Sequence, residues 1–341
     1  MVADDDVEWL SYPGLADGRH VWAVRGVLEA PDEGEAEVLD LRRAGHVFDD
    51  ASAQLVACAT ALQGASVGFV APFSTDTFGQ ALIDHLQANH ARSLLPRSAL
   101  PTSLAVVQVT HGQPNYGFYR EGVADRDYQV ADVVALLEAS PPGVLHTGSL
   151  MAMPPEHGKV LQIIAAAKRL GWVISVDVNL RPRVATDVPA YLEAVREVAA
   201  HADWLKASDE DLELLGFVDV SLANASALTM HWMAQGCSRV ALTFGEQGAY
   251  LQVAHAHAQA DALKVTVMDT VGAGDTFWGS CLADWVMHHT LNDSHLAAKR
   301  VHETLQRAMV AAAINCTRVG CQPPDVAAID SAIQVASAPL P

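Results

Sequence analysis

The chain alternates between short apolar runs and longer segments of helical period. Residues 67–71 (VGFVA) and 172–178 (WVISVDV) are apolar nearly throughout, as strands buried on both faces are. Residues 103–110, 116–119, 144–146, 204–206, 239–243 and 249–253 predict further strands. Between them, 51–62, 76–89, 131–139, 155–170, 189–200, a segment from Asp209 onward, and 226–235 predict helices, and 295–314 a long final one. In 76–89, Phe78, Leu82 and Leu86 share one face; Gly64 and Gly171 stop the helices before them. Strands alternating with helices predict an α/β fold of three layers, α/β/α, around a mostly parallel central sheet. The runs 21–28, 36–41 and 116–119 fall outside that alternation and predict a small β lid drawn from about 18–45 and 108–122. The whole reads as a single domain over 1–330 with a C-terminal tail over 331–341, and the Ala/His stretch 254–262 as an exposed turn.

One stretch stands out, 264–286 (KVTVMDTVGAGDTFWGSCLADWV). Residues 264–268 alternate like a short strand. After Gly272-Ala273-Gly274 comes Asp275, then a segment apolar all round (Phe277, Trp278, Cys281, Leu282, Trp285, Val286), which predicts a buried helix. Glycines let a ligand approach the backbone, and a helix N-terminus offers unpaired N–H groups and the positive end of a dipole. The combination suits phosphate. A carboxylate at that spot repels phosphate unless it does chemistry or holds a metal. Asp275 is then either a general base taking a proton from an attacking hydroxyl or an ordinary N-cap, and these residues alone leave both open.

Composition narrows the class. Half of the 341 residues are hydrophobic, enough for a sizeable core. No run approaches the roughly 18 apolar residues of a membrane span, and the acidic start (Asp4, Asp5, Asp6, Glu8) is unlike a signal peptide, so a soluble cytoplasmic protein is expected. The net charge of −19 argues against nucleic acid and anionic membranes as partners. The five cysteines form no CxxC pair, which points to neither a disulfide framework nor a zinc site. Of the 15 histidines, only His288-His289 and His255-x-His257 are close pairs, and neither has the HExxH spacing of a metal helix.

DTVGAGDTFWGS resembles the C-terminal motif of ribokinase/PfkB sugar kinases, DTxGAGDxFxxG; Asp269, Thr270, Gly272, Ala273, Gly274, Asp275, Phe277 and Gly279 all fit. The resemblance runs from about residue 50 to 325. LQGASVGFVAPFSTDTFGQALIDHL, NYGFYREGVADRDY, VLHTGSL, ISVDVNLRPRV, ADWLKASDEDLELLG and LTFGEQGAYL are similar to successive blocks of the family, most closely those of fructokinases. It implies a ribokinase-like fold and transfer of the γ-phosphoryl group of ATP to a sugar hydroxyl. Asp275 is then the base and the backbone of Gly272, Ala273 and Gly274 the anion hole. Asp17, Tyr119, Arg120 and Arg181 are implied at the sugar, and Lys206, Ser208, Thr243, Gly245, Gly248 and Asn315 at the nucleotide. Asp211, with Asp177 through water, would organise Mg²⁺; Ser208 and Asp211 also have the outline of a capping box. A monovalent cation such as K⁺ would sit between Asp269-Thr270 and the loop from Cys316 to Gly320, and the lid would double as a homodimer surface.

The family's GGxxxN segment is missing: Asp50-Ala51 stand in place of the glycines and Leu55 in place of the sugar-binding asparagine. The alternatives are a 2-keto-3-deoxygluconate, other sugar-acid or nucleoside kinase of the same fold, or a catalytically weak relative that binds sugar or nucleotide for regulation. A dinucleotide-binding dehydrogenase is disfavoured because VGAGDTFWG lacks the GxGxxG spacing.

Overall fold

The computed structural model describes residues 51–110, 113–291, 293 and 295–337. Asp17 and the expected strands at 21–28 and 36–41 lie outside them. Helix α1 (Ala51–Leu62) leads to β1 (Gly68–Phe69), which pairs in parallel with β2 (Arg92–Ser93) across α2 (Thr77–Ala88). The carboxylate of Asp76 caps α2, accepting from Gly79 N at 2.7 Å, and also accepts from Thr102 N and Oγ1 at 2.8 and 2.7 Å. Next, β3 (Leu104–Thr110) and β4 (Gln113–Tyr119) form an antiparallel pair separate from the main sheet, at the position of the 108–122 half of the expected lid.

Strand and helix then alternate as the hydrophobic pattern requires. The order is α3 (Val130–Glu138), β5 (Val144–Gly148), α4 (Glu156–Arg169), β6 (Val173–Asp177), α5 (Val188–Ala199), β7 (Trp204–Ser208), α6 (Asp209–Leu214) and α7 (Ala225–Met233). The chain finishes with β8 (Arg239–Thr243), β9 (Ala249–Val253), β10 (Ala256–Ala260), α8 (Ala273–Met287), α9 (Ala298–Cys316) and α10 (Val326–Ser337). The six-stranded sheet has the order β10-β9-β8-β7-β6-β5; β5 to β8 run parallel, and at one end β9 pairs antiparallel with both β8 and β10. One face (Ile174, Val176, Leu205, Val240, Leu242) buries Ile164 of α4, Val195 of α5 and Trp232 of α7. The other (Trp204, Ala241, Leu251) buries Trp278 and Trp285 of α8 and Leu305 of α9. This is the three-layer α/β fold with a mostly parallel sheet.

Three local expectations change. Residues 254–262 are not a turn throughout: 256–260 form edge strand β10, in which Ala258 is buried while His257 and Gln259 point out. Residues 264–268 are not a strand. Among the described residues no strand pairs with them, and Val267 and Met268 are exposed. The last helix runs on into the segment expected as a tail: Ile329 is buried with Val310 and Ala311, and Ala332 and Ile333 pack against them.

Helix α8 is buried along most of its length and packs closely on α1. A Cβ at Gly279 would stand 2.7 Å from Ala59 Cβ and 2.9 Å from Val56 O, so only glycine fits at this crossing. Thr60 Oγ1 donates to Gly279 O at 3.2 Å and Ser280 Oγ to Gln63 Oε1 at 2.8 Å, and Trp278 Nε1 ties α8 to β6 through Ser175 Oγ at 3.0 Å.

Candidate active site

The parallel strands bring Gly148, Asp177, Lys206, Ser208 and Thr243 to one edge of the sheet, with Gly148 paired to Asp177, Asp177 to Lys206 and Ser208 to Thr243. Ligands in open α/β sheets bind beyond such carboxyl ends. The N-terminus of α8 comes down onto the same edge. Its N-cap, Gly272, is left-handed at φ 69°, and a Cβ there would lie 2.1 Å from Cys321 Sγ, so both backbone and space demand glycine. A Cβ at Gly274 would stand 3.1 Å from Lys206 Nζ, which sets the ammonium directly against the first turn of the helix. Asp275, 8% exposed, sits on that turn.

Lys206 and Asp177 form a buried ion pair, with Nζ 3.0 and 3.1 Å from the two carboxylate oxygens. Burial pushes the Asp177 carboxyl up, to about 7; Lys206 opposes this, while Asp275 and Asp211 add to it. Burial alone would lower the Lys206 ammonium, but Asp177, Asp211 and Asp275 outweigh it and hold the group above its ordinary value. The two directions agree: one ammonium faces three carboxylates, so the cluster carries negative charge around a retained cation.

Asp275, Lys206, Gly272, Ala273, Gly274 and Asp177 are therefore brought together. Ser208 caps α6: its Oγ accepts from Asp211 N at 3.1 Å, and Asp211 Oδ2 accepts from Ser208 N at 2.8 Å, a complete capping box. Asp211 Oδ1 accepts from Leu180 N at 2.7 Å. Both oxygens of this buried carboxylate are thus on backbone donors, so the capping box that the spacing of Ser208 and Asp211 outlined is formed. Among the described residues no group of three or more His, Cys, Asp or Glu side chains is placed to hold a metal. This donor set does not fit a resident Mg²⁺; it leaves room only for an ion carried on nucleotide phosphates and water.

Asn315, expected at the nucleotide, is fully buried and donates to Val271 O at 2.7 Å while accepting from Gln322 N at 2.8 Å. It pins the glycine loop to α9. Asp269 stitches the same loops, accepting from Val271 N at 3.0 Å and Gly320 N at 2.9 Å, so the two segments expected to flank a monovalent cation do meet. Thr243, Gly245 and Gly248 form the connection from β8 to β9, closed by Phe244 N donating to Gly248 O at 2.8 Å. Arg181 is exposed past β6, and its N–H donates to Tyr191 Oη at 3.1 Å. Burial pushes Tyr191 up to about 12, and the positive charges of Arg181 and Arg120 oppose this. Arg120 is buried 3.9 Å from Asp125, and Tyr119 is 62% exposed at the end of β4. Leu55 Cδ1 lies 3.5 Å from where a Gly272 Cβ would stand, so an apolar side chain borders the glycine loop. Sequence reasoning missed Ser52, whose Oγ donates to Asp275 Oδ1 at 2.6 Å. A serine in the first turn of a helix carries no distinguishing pattern.

The sequence matches the pfkB family carbohydrate kinases over residues 52–328. The chain belongs to this family. A fructokinase of Rhizobium leguminosarum bv. trifolii is 31% identical over 239 residues, covering 69% of this chain and 71% of its own. Two solved structures share the fold. Fructokinase with bound ATP from Xylella fastidiosa has a TM-score of 0.73 at 23% identity, covering 84% of this chain and 91% of its own. Fructokinase from Vibrio cholerae O395 in its fructose, ADP and calcium ion bound form has a TM-score of 0.69 at 24% identity, covering 82% and 89%. This PfkB chain is accordingly a phosphotransferase acting on a sugar hydroxyl, with a ribokinase-like fold and fructokinases among its relatives.

Proposed function

We propose that this chain is an ATP-dependent, fructokinase-like sugar kinase in which Asp275 is the general base. The observation that carries the reading is the seat of Asp275 on the first turn of α8, with Lys206 Nζ 3.1 Å from the Cβ position of Gly274. Asp275 takes the proton of the attacking sugar hydroxyl, and the first-turn N–H groups of α8 with Lys206 face the charge that develops on the transferred phosphoryl group. The ATP-bound and fructose-bound fructokinases of the same fold support both substrates. Thr243, Gly245 and Gly248 would border the nucleotide, with Mg²⁺ arriving on its phosphates to offset their charge.

Ser208 and Asp211 shape this edge, and K⁺ belongs between the Asp269 and Gly320 loops if exchange for Na⁺ lowers turnover. The positive charges of Arg120 and Arg181, both of which act on Tyr191, favour a second reading, a sugar-acid acceptor whose carboxylate meets guanidinium. A panel of fructose, other sugars, 2-keto-3-deoxygluconate and nucleosides with MgATP, read by ADP release, separates the two. Turnover of fructose supports the first reading, preference for the acid the second, and ATP binding without turnover of any acceptor rejects both.

A further inference from the structure

We infer that Ser52 is the positioning residue of Asp275, the middle member of a hydrogen-bonded relay Asn179–Ser52–Asp275 that joins the end of β6 to the base. Ser52 Oγ donates to Asp275 Oδ1 at 2.6 Å, and Asn179 Nδ2 donates to Ser52 Oγ at 2.6 Å. The inference rests on the reading of Asp275 as the base. A hydroxyl has one proton. With the Asn179 amide hydrogen already aimed at the serine oxygen, that proton is directed to the carboxylate, so the relay has one polarity.

Each member is held from outside. Asn179 is 9% exposed and left-handed at φ 38°, a conformation that asparagine tolerates better than most side chains. The backbone on both sides of it is fixed, Val178 N donating to Lys206 O at 3.0 Å and Leu180 N to Asp211 Oδ1 at 2.7 Å. The buried Asp211 carboxylate thereby holds the turn that aims Asn179. Ser52 is fixed by α1, which the Gly279 crossing holds against α8, the helix that carries Asp275.

The relay does two things for a base. It fixes the carboxylate rotamer, so the attacking hydroxyl meets a set geometry. It also donates to the ionised form, which favours the state able to accept a proton. Among the described residues, titratable groups facing Asp275 include Asp177 on β6, Lys206 on β7 and the Cys321 thiol after α9. The first turn of α1 brings no charge of its own.

The test compares wild type, Ser52→Ala and Ser52→Thr, by kinetics with MgATP and the best acceptor and by ¹³C-carboxyl NMR titration of Asp275 in the full chain, assigned with Asp275→Asn. Ser52→Ala is expected to lower kcat about tenfold with KM for ATP changed less than about twofold. The acid limb of kcat/KM and the NMR midpoint should both move up by about half to one pH unit, and Ser52→Thr should restore both. An unchanged NMR midpoint in Ser52→Ala overturns the inference, whatever the turnover. A shifted midpoint together with full activity in Asp275→Ala leaves the contact standing and removes the base reading instead, so the two failures are distinguishable.

Discussion

At the scale of single residues, the site is a charge problem solved by burial. Lys206 is the cation against the first turn of α8, and three carboxylates share it. Replacing Lys206 with methionine should lower kcat at least about 100-fold and leave Asp177 buried without its cation, costing about 3–5 kcal/mol of stability in urea titrations. Asp177 also gives the fold a pH signature. Its carboxyl is held up to about 7 when folded, against about 4 when unfolded. The folded chain therefore binds the extra proton between these values, and stability falls as pH rises from about 4 to about 7, then levels off. Asp177→Asn should flatten that fall; an identical slope in the variant contradicts the assignment. That Asp275, Lys206, Asp177 and the glycine pair lie together was legible from the resemblance of their motifs to a known family and from the strand ends that carry Asp177 and Lys206. The hydrogen bonds of Asp211 and Asn315 to Leu180 N, Val271 O and Gln322 N were not readable, because these partners come from other segments. Ser52 was invisible for the same reason, 223 positions from the carboxylate it meets.

At the scale of elements, the contact between α1 and α8 decides where Asp275 sits. A valine at Gly279 would force these helices apart, since even the first carbon of a side chain would stand 2.7 Å from Ala59 Cβ. Gly279→Val should cost about 1–3 kcal/mol or more and lower kcat through displacement of α8, while Gly279→Ala should show a smaller loss of both; denaturant midpoints and kcat measured together check this. The alternation of strand and helix was readable because parallel strands buried on both faces are apolar throughout, as in 172–178. β10 was missed because its inward residues are alanines (Ala256, Ala258, Ala260), which give a weak signal. The run 264–268 misled for the opposite reason. It has strand alternation, yet among the described residues its backbone is tied across the chain by Met268 N to Cys316 O at 2.8 Å and by no strand ladder.

At the scale of the whole molecule, the net charge of −19 sets the background on which an anionic nucleotide must bind. Self-repulsion at that charge is screened by salt, so the melting temperature should rise between about 10 and 200 mM NaCl; a fall would show that attractive pairs dominate the surface. Among the described residues no helix is long and apolar enough to cross a membrane. The proposed function puts the chemistry at the GAGD stretch, where the sheet edge, Lys206 and the α8 turn converge. The most direct test is ADP release with MgATP and fructose for wild type and Asp275→Ala, each with a thermal melt. A loss of at least about 1,000-fold is expected, with the melting transition retained. Activity within tenfold of wild type in the variant would contradict the role of Asp275 as the base.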